Sequence, residues 1–323
     1  MASSQKKLRA GVVGVGSLGK HHARNYAEIA KQGFVELVAV CDIDLEKAKQ
    51  IADQFNCRAF DEWKQMIEIV DVVSVVTPTE THCEISCGFL ERGVSVLVEK
   101  PISRTIEEAD KMVEAAKSKG VKLMVGHLER YNPAMVALRP HVVNPLYFEI
   151  HRISPFPNRS LDVDVVLDVM IHDLDAVQWL VGKDVKVSDV HAVGIPVLSD
   201  KIDAANARIE FENGAVANIT ASRIGTEKIR KTRFYQPYSY VVLDYATRFA
   251  SLTSLISPNS TEIKINRLEV EDFEPLRAEI EAFLNCVIED TEPPISGEDG
   301  RQALVLALKV LEKIEQHRNR LNV

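Results

Sequence analysis

The sequence predicts an α/β protein: a doubly wound, parallel-sheet Rossmann domain, followed by an α+β domain with a large, mainly antiparallel sheet. Strand and helix patterns alternate through the first part of the chain, as βαβ units require. A glycine-rich turn, GVGSLG at Gly14–Gly19, joins the first strand pattern to the first helix pattern. After Pro133 long strand-like runs take over, and ENGA at Glu212–Ala215 is a hairpin signal because Asn-Gly supplies positive φ values.

The first domain, predicted at residues 1–127, is defined by its hydrophobic period. Val72–Val76 is apolar without a break, as a strand covered on both faces of a parallel sheet requires. The predicted strands are Leu8–Val15, Phe34–Cys41, Val72–Val76, Val94–Val98 and Lys122–Val125, and the predicted helices are Leu18–Lys31, Leu45–Phe55, Glu80–Arg92 and Ile106–Lys119.

The second domain, predicted at residues 128–323, begins with a buried helix at Val165–Val181 and ends with two helices, Pro275–Glu289 and Glu298–Arg320. The strand patterns between the helix Val165–Val181 and the two final helices form successive hairpins, which favours an antiparallel sheet. We also expect a cleft between the two domains. The predicted strands are Val185–Val193, Ala204–Glu212, Ala215–Ser222, Ile229–Tyr235, Tyr240–Asp244 and Glu262–Val270.

Composition excludes several classes of protein. The 323 residues are 46% hydrophobic and 27% charged, which is typical of a soluble globular protein of two domains. The net charge of −8 argues against nucleic acid or an anionic membrane as the partner. No apolar run reaches the roughly 18 residues of a membrane span, and the polar N-terminal tail has no signal-peptide core. We therefore expect a cytoplasmic protein without membrane insertion.

The five cysteines do not read as a disulfide framework. Cys83 and Cys87 are spaced i,i+4 in a predicted helix and could share a metal ion. No second Cys or His pair with zinc spacing accompanies them, so we expect free thiols and no metal.

The glycine turn predicts a dinucleotide site. Gly14 permits the tight turn, Gly16 lets backbone approach a pyrophosphate, and Gly19 allows the helix to pack closely on the sheet. Ser17 and Leu18 complete the loop at a helix N-terminus, where amide groups and the helix dipole favour phosphate.

Asp42 ends the second predicted strand and predicts the choice of cofactor. An acid at this position accepts both ribose hydroxyls of NAD and repels the 2′-phosphate of NADP. Ile43 and Asp44 follow it, rather than an Arg or Lys that would favour NADP. NAD is therefore the expected cofactor, and a capping role of Asp42 at the next helix is compatible with it.

The triplet Glu99-Lys100-Pro101 follows the predicted strand Val94–Val98. Ligands of open α/β sheets bind beyond the carboxyl ends of the strands, which favours a functional Lys100. The alternative is an ordinary exposed lysine after a strand.

A polar stripe interrupts the apolar segment Val165–Val181. At helical spacing Asp164, Asp168, His172 and Asp175 share one face. Either this stripe lines a cleft, or it is a thin solvated edge with an ion pair worth about 0.2–0.5 kcal/mol. A metal site made of Asp168, His172 and Asp175 is a further alternative, although nothing elsewhere in the sequence completes it.

Several of these stretches occur together, in the same order, in a known family. They are Gly14–Gly19, TPTETH at Thr77–His82, Glu99-Lys100-Pro101, the helix that carries Asp168, His172 and Asp173, and ISGEDGRQAL at Ile295–Leu304. Over nearly the whole chain the sequence resembles the glucose–fructose oxidoreductase/inositol dehydrogenase (Gfo/Idh/MocA) family.

The resemblance implies a nicotinamide-dependent oxidation or reduction of a sugar carbinol by a lysine, an aspartate and a histidine. By position these are Lys100, Asp168 and His172. The resemblance also implies that the cofactor pocket includes Thr77, Pro78, His82, Glu99 and Lys100. The chemistry agrees, because histidine ordinarily titrates near neutrality and can take the hydroxyl proton. Asp168 could support the resulting imidazolium, and Lys100 could stabilise negative charge on the reacting oxygen.

Three further stretches, Gly126–Ala134, Pro155–Asp168 and Ser222–Pro237, resemble the branch of bacterial nucleotide-sugar 3-dehydrogenases within this family. That resemblance implies oxidation of the 3-hydroxyl of a UDP-N-acetylhexosamine such as UDP-GlcNAc, on a route to 3-amino sugars of lipid A. A basic run at 223–233 could serve the diphosphate, or could protect an exposed edge strand. The predicted substrate contacts are Arg130, Tyr131, Asn132, Arg152, Arg159, Arg223, Lys231 and Arg233.

Other functions stay open at this point. The sequence also fits a dehydrogenase of another polyol or sugar, a non-catalytic nicotinamide-sensing protein, or a lyase that uses NAD transiently. A proton-transfer residue such as His172 argues against the sensor. A sheet with one uncovered face favours a homodimer or homotetramer.

Overall fold

The computed structural model describes residues 7–156, 163–257 and 260–321, which fall into two compact units. The first unit ends at His127 and also includes Glu274–Arg301. The second comprises Leu128–Phe273 and resumes at Gln302. The α/β class and the two kinds of sheet predicted from the sequence are confirmed.

The first unit is built on a six-stranded parallel sheet with the strand order β3-β2-β1-β4-β5-β6. This is a doubly wound Rossmann arrangement, in which ligands bind where the strand order reverses. The strands are β1 Leu8–Val13, β2 Val35–Cys41, β3 Arg58–Phe60, β4 Val72–Val75, β5 Ser95–Glu99 and β6 Leu123–Gly126, and the helices are α1 Gly19–Ile29, α2 Leu45–Phe55, α3 Thr79–Leu90 and α4 Ile106–Lys119.

Local sequence signals fix the helix ends in this unit. The hydroxyl of Thr105 accepts a hydrogen bond from the Glu108 amide at 3.2 Å, and the Glu108 carboxylate accepts one from the Thr105 amide at 3.4 Å. This capping box starts α4, which ends at Gly120 with a left-handed φ of 65°. All residues of β4 are buried, as its apolar sequence predicts.

The second unit contains an eight-stranded sheet with the order β14-β13-β12-β11-β7-β10-β9-β8. β7 and β10 run parallel, and the other neighbouring strands are antiparallel. The strands are β7 Tyr147–Ile153, β8 Val187–Ile195, β9 Ala204–Phe211, β10 Val216–Ser222, β11 Ile229–Gln236, β12 Ser239–Asp244, β13 Phe249–Leu255 and β14 Ile263–Arg267. The helices are α5 Pro133–Leu138, a π-helical turn Val166–Met170 and α6 Ile171–Val181.

The core of the second unit lies on one face of this sheet. Buried side chains alternate along the strands, as with Phe148 and Ile150 on β7 and Ala217 and Ile219 on β10. The apolar side of α6 packs into the same core. The sequence prediction missed β7, because the inward-facing Arg152 interrupts the apolar alternation along that strand.

Two helices follow β14: α7 Pro275–Ile288 and α8 Gly297–Leu321. The sequence prediction placed everything after residue 127 in one domain, whereas Glu274–Arg301 groups with the first unit. The physical reason is that α7 packs against α1 and that the Val125 amide donates to the Ile295 carbonyl at 3.0 Å.

Among the described residues, no helix combines the length and apolar character needed to cross a lipid bilayer.

Candidate active site

The glycine loop has the geometry of a phosphate cradle. A Cβ atom on Gly19 would lie 1.7 Å from the Gly14 carbonyl oxygen, and Gly14 itself has a φ of 84°. A Cβ on Gly16 would meet nothing within 4 Å, so open space lies over the exposed loop formed with Ser17 and Leu18. No side chain caps the N-terminus of α1. The residues therefore fit a pyrophosphate held by backbone amides.

Asp42 ties the glycine loop to the end of β2. Its Oδ2 accepts from the Val15 amide at 2.9 Å and its Oδ1 from the Asp44 amide at 3.0 Å. The side chain stays half-buried, and a carboxylate offers about four acceptor positions. The structural contacts and the predicted hydrogen bonds to ribose are therefore compatible.

We expect Asp42→Ala to reduce the preference for NAD over NADP. Each lost charge-assisted hydrogen bond is worth about 1.5–3 kcal/mol, or roughly tenfold to a hundredfold in binding. Steady-state kinetics with both cofactors measures the ratio. Asp53→Ala is the control, since Asp53 is an exposed acid on α2 and its loss should leave the ratio unchanged. A wild-type protein that used NADP better than NAD would contradict this role of Asp42.

His82 joins the two loops that carry Thr77 and Pro101. Its Nδ1 lies 2.9 Å from the Pro101 carbonyl oxygen and its Nε2 2.9 Å from the Thr77 carbonyl oxygen. The ring is 1% exposed, and this burial lowers the pKa of His82. The sequence prediction gave His82 a direct cofactor contact, but the structure instead encloses the ring between backbone carbonyls. His82 therefore holds the loops of Thr77 and Pro101 in fixed positions.

Thr77 and Pro78 lie where the chain enters α3, as the sequence predicts. The Thr81 hydroxyl donates to the Pro78 carbonyl at 2.8 Å, and its oxygen lies 2.8 Å from the Thr77 hydroxyl. These bonds fix the turn between β4 and α3, on the carboxyl side of the sheet.

Glu99 and Lys100 follow at the carboxyl end of β5. The Glu99 carboxylate lies 3.2 Å from the His22 Nε2 and accepts from the Lys100 amide at 3.3 Å. Burial opposes the charge of Glu99, but His22 and Lys100 outweigh it and hold the pKa of Glu99 below its usual value. Lys100 itself is half-buried.

His22 was assigned no function from the sequence, and the structure shows that it contacts the Glu99 carboxylate. It is fully buried, and its Nδ1 lies 3.2 Å from the Ser74 hydroxyl, which the Tyr26 hydroxyl also contacts at 3.0 Å. The signal in the sequence was a histidine one turn into α1, on the side of the helix that faces the sheet.

In the second unit, Asp168 lies in the π-helical turn and His172 in the first turn of α6. The Ile171 amide donates to the Val166 carbonyl, which inserts one residue and changes the helical phase. Such π-turns are frequent at functional sites. Both Asp168 and His172 are half-buried.

The polar stripe expected from regular helical spacing is divided. Asp164 accepts from the Ile202 amide at 2.8 Å, and Asp175 is 1% exposed and binds Arg130 through two bonds of 2.9 and 2.6 Å. Asp164, Asp168 and His172 are half-buried, so part of the surface of each is open, whereas Asp175 is buried. Within the described ranges, no group of three or more His, Cys, Asp or Glu side chains could hold a metal ion.

A buried ion pair fixes the start of α6 on the sheet. Arg152 on β7 donates to both oxygens of Asp173 at 2.8 Å and to Glu129 at 2.6 Å. The Tyr245 ring lies 5.2 Å from its guanidinium carbon. Asp173 is the neighbour of His172 in the chain, so this pair restrains the direction of His172.

Several predicted substrate contacts instead form hydrogen bonds and ion pairs within the protein. Arg130 pairs with Asp175, Arg152 with Asp173 and Glu129, and the Asn132 side chain caps α5 by accepting from the Ala134 amide. Tyr131 lies beside Arg130 and is half-buried. Buried ion pairs of this kind are costly to break, which assigns Arg130 and Arg152 a positioning role.

Arg223 is likewise fully buried. It donates to Asp203 at 2.8 Å and to the Val163 carbonyl at 2.7 Å, so it anchors the segment that leads to Asp168. Lys231 lies 3.4 Å from Asp244, and Arg233 stays half-buried. Arg159 lies outside the described residues.

The edge-strand explanation of the basic run is wrong. Lys231 and Arg233 lie on β11, which pairs with β12 on one side and with β7 on the other. Their side chains alternate with the buried Thr232 and Phe234, so both occupy the opposite face of the sheet.

Comparisons with known proteins agree with this architecture. The model of the GFO/IDH/MocA oxidoreductase family with an NAD-binding Rossmann fold matches residues 8–127, and the GFO/IDH/MocA C-terminal domain matches residues 144–235. UDP-N-acetylglucosamine 3-dehydrogenase of Acidithiobacillus ferrooxidans is 36% identical over 95% of this chain and 97% of its own length. A solved structure of that enzyme has a TM-score of 0.90 and covers 96% of this chain and 99% of its own.

More distant relatives extend the same fold. Myo-inositol 2-dehydrogenase of Thermotoga maritima is 26% identical over 97% of this chain and 98% of its own length. A levoglucosan dehydrogenase solved with NADH and L-sorbose has a TM-score of 0.87 at 21% identity, covering 96% of this chain and 97% of its own.

Proposed function

Because the chain belongs to the GFO/IDH/MocA oxidoreductase family and has its NAD-binding Rossmann domain, we propose that it oxidises a secondary hydroxyl of a nucleotide sugar. The substrate is a UDP-N-acetylhexosamine such as UDP-GlcNAc, and the 3-hydroxyl becomes a ketone. The observation that carries this assignment is the 36% identity to a UDP-N-acetylglucosamine 3-dehydrogenase over 95% of the chain.

Bound NAD supplies the hydride acceptor, and the residues of the chain divide the remaining work. His172 takes the proton from the reacting hydroxyl as general base, and Asp168 supports the imidazolium that forms. Lys100 donates a hydrogen bond to the same oxygen and stabilises its developing negative charge. Gly14–Gly19 and Asp42 hold the pyrophosphate and the ribose of the cofactor.

Support for these roles comes from how firmly each side chain is held within its own unit. His82 and Glu99 order the turn that carries Lys100, while the Arg152–Asp173 pair orders the turn that carries His172. Pre-organised groups of this kind pay little reorganisation energy during reaction.

Lys231 and Arg233, which the sequence predicts as contacts for the substrate charge, both lie on β11 with half-buried side chains. They occupy the face of the sheet opposite the core and α6, so they point away from His172 and are not proposed to bind the substrate. The other predicted substrate contacts act indirectly, because they hold backbone segments and helices in place. They are Arg130, Asn132, Arg152 and Arg223.

We further propose a cytoplasmic homodimer or homotetramer whose keto product is aminated by an aminotransferase on the lipid A route. The second sheet supports self-association, because Tyr147, Tyr235 and Tyr240 form a row on the face opposite the core, with ring centroids 5.5 and 4.9 Å apart. Tyr235 is 41% exposed.

A substrate panel tests the proposed function. We expect NADH absorbance to rise with UDP-GlcNAc and NAD, most clearly when an aminotransferase removes the ketone. Free GlcNAc, glucose and myo-inositol are the comparison substrates, and the His172→Asn variant is the inactive control. Turnover of myo-inositol but not UDP-GlcNAc would favour the inositol dehydrogenases. Cofactor binding without turnover of any sugar would favour a nicotinamide sensor, and sugar cleavage without net NADH a lyase.

A further inference from the structure

Glu279 is a buried acid in the first unit that the proposed reaction does not use. It lies on α7 and is 0% exposed. Neither of its carboxyl oxygens has a hydrogen-bond partner among the described residues. An ionised carboxylate in such a place would lack both water and a counter-charge.

The helix α7, which carries Glu279, packs against α1 and β5. His22 and Tyr26 on α1 are fully buried, as is Ser74 on β4, and Glu99 and Lys100 lie at the end of β5. Among these residues, the Glu99 carboxylate contacts the His22 ring, with 3.2 Å between Glu99 Oε1 and His22 Nε2. The charge of Glu99 acts on Glu279 and opposes a second negative charge.

These conditions favour the neutral acid. Burial first, and then the charge of Glu99, raise the pKa of Glu279 well above its usual range. The pKa of Tyr26 is also raised, mainly by burial. Two like-charged carboxyl groups in one buried site normally retain a proton between them.

We propose that Glu279 keeps its proton in the folded enzyme and acts as a positioning residue for the turn Glu99-Lys100-Pro101. As a neutral group it avoids the repulsion that a second carboxylate would exert on Glu99. Glu99 then remains bound to His22 and to the Lys100 amide, which sets the direction in which Lys100 leaves β5. This inference rests on the proposed role of Lys100 in the reaction.

The protonation of Glu279 is tested by Glu279→Gln, which keeps the size of the side chain and cannot ionise. We expect the pKa of Glu279 to be higher in the folded protein than in the unfolded chain, where a Glu has a pKa of about 4.3. The wild type then has its full stability below about pH 4.3 and loses stability as the pH rises. We therefore expect the ratio of the variant's folding constant to that of the wild type to increase about tenfold per pH unit above this value, until the pH reaches the folded pKa of Glu279. Chemical denaturation from pH 5 to pH 9 measures the change.

Glu281→Gln on the same helix is the matched control. Glu281 pairs with Arg277 at 2.9 Å, so this control should lose a little stability rather than gain it. A Glu279→Gln variant that is less stable than the wild type, by an amount constant or growing with pH, would overturn the neutral acid. The measurement needs no substrate, so it stands even if the proposed substrate is wrong.

The positioning role is tested by rescue. We expect Glu279→Ala to lower kcat by about tenfold or more with little change in the KM for NAD, because small displacements of a catalytic group are costly. Glu279→Gln should recover most of that loss. If the Ala variant does not fold, the Gln variant still decides the protonation state. A folded Ala variant with wild-type kcat would overturn the positioning role.

Discussion

His172→Asn is expected to lower kcat by roughly 10²- to 10⁴-fold, the usual contribution of general acid–base catalysis. Asparagine is close in size to histidine but cannot accept the hydroxyl proton. The melting temperature should change little, because His172 is half-buried and the apolar core residues of α6 stay in place. Kinetics and thermal melting of the same preparation measure both effects.

The pH profile gives an independent test of His172. For alcohol oxidation the base must be unprotonated, so wild-type kcat/KM should rise with pH through a group near neutrality. The His172→Asn variant should lose this rise. His191→Asn is the matched control, since His191 is an exposed residue of β8 paired with Asp189. An active His172→Asn variant that kept the rise would make Lys100 the leading candidate for the base.

Lys100→Ala is expected to bind NAD normally and to lose most turnover. In the proposed mechanism the glycine loop and Asp42 provide the affinity for the cofactor, whereas Lys100 acts on the reacting oxygen. Removing one donor of this kind costs about 10²- to 10³-fold in kcat. Calorimetry measures NAD binding, and stopped-flow absorbance measures hydride transfer.

Lys117→Ala on the exposed side of α4 is the control for a lost lysine in the same unit. It should behave as the wild type in both measurements. If Lys100→Ala abolished NAD binding while the protein stayed folded, Lys100 would be mainly a cofactor ligand.

Much of the first unit followed from local sequence. Nearby residues determine its backbone geometry and burial, so these can be predicted from short stretches of sequence. Examples are the glycine turn, the apolar strand β4, and Asp42 at the end of β2. The place of α7 did not follow, because its apolar face could have joined either core. Only the packing on α1 shows which one it joins.

The polar residues of the second unit were harder to assign. Regular helical spacing predicts Asp164 and Asp175 beside His172, but both acids bind the protein itself. The π-helical turn also changes the helical phase between Asp164 and His172. The sequence predicts Arg152 and Arg223 as substrate ligands, because it does not reveal buried partners such as Asp173 and Asp203. Long-range ion pairs of this kind become visible only in the fold.

The most direct test of the proposed reaction follows the hydrogen atom on C3 of the sugar. UDP-GlcNAc labelled with deuterium at C3 is incubated with NAD and the enzyme, and the cofactor and sugar products are analysed by mass spectrometry. Hydride transfer from C3 places the deuterium in the reduced cofactor and leaves an unlabelled 3-keto sugar. Reduced cofactor without deuterium, or a sugar product that retains its label, would contradict oxidation at this position.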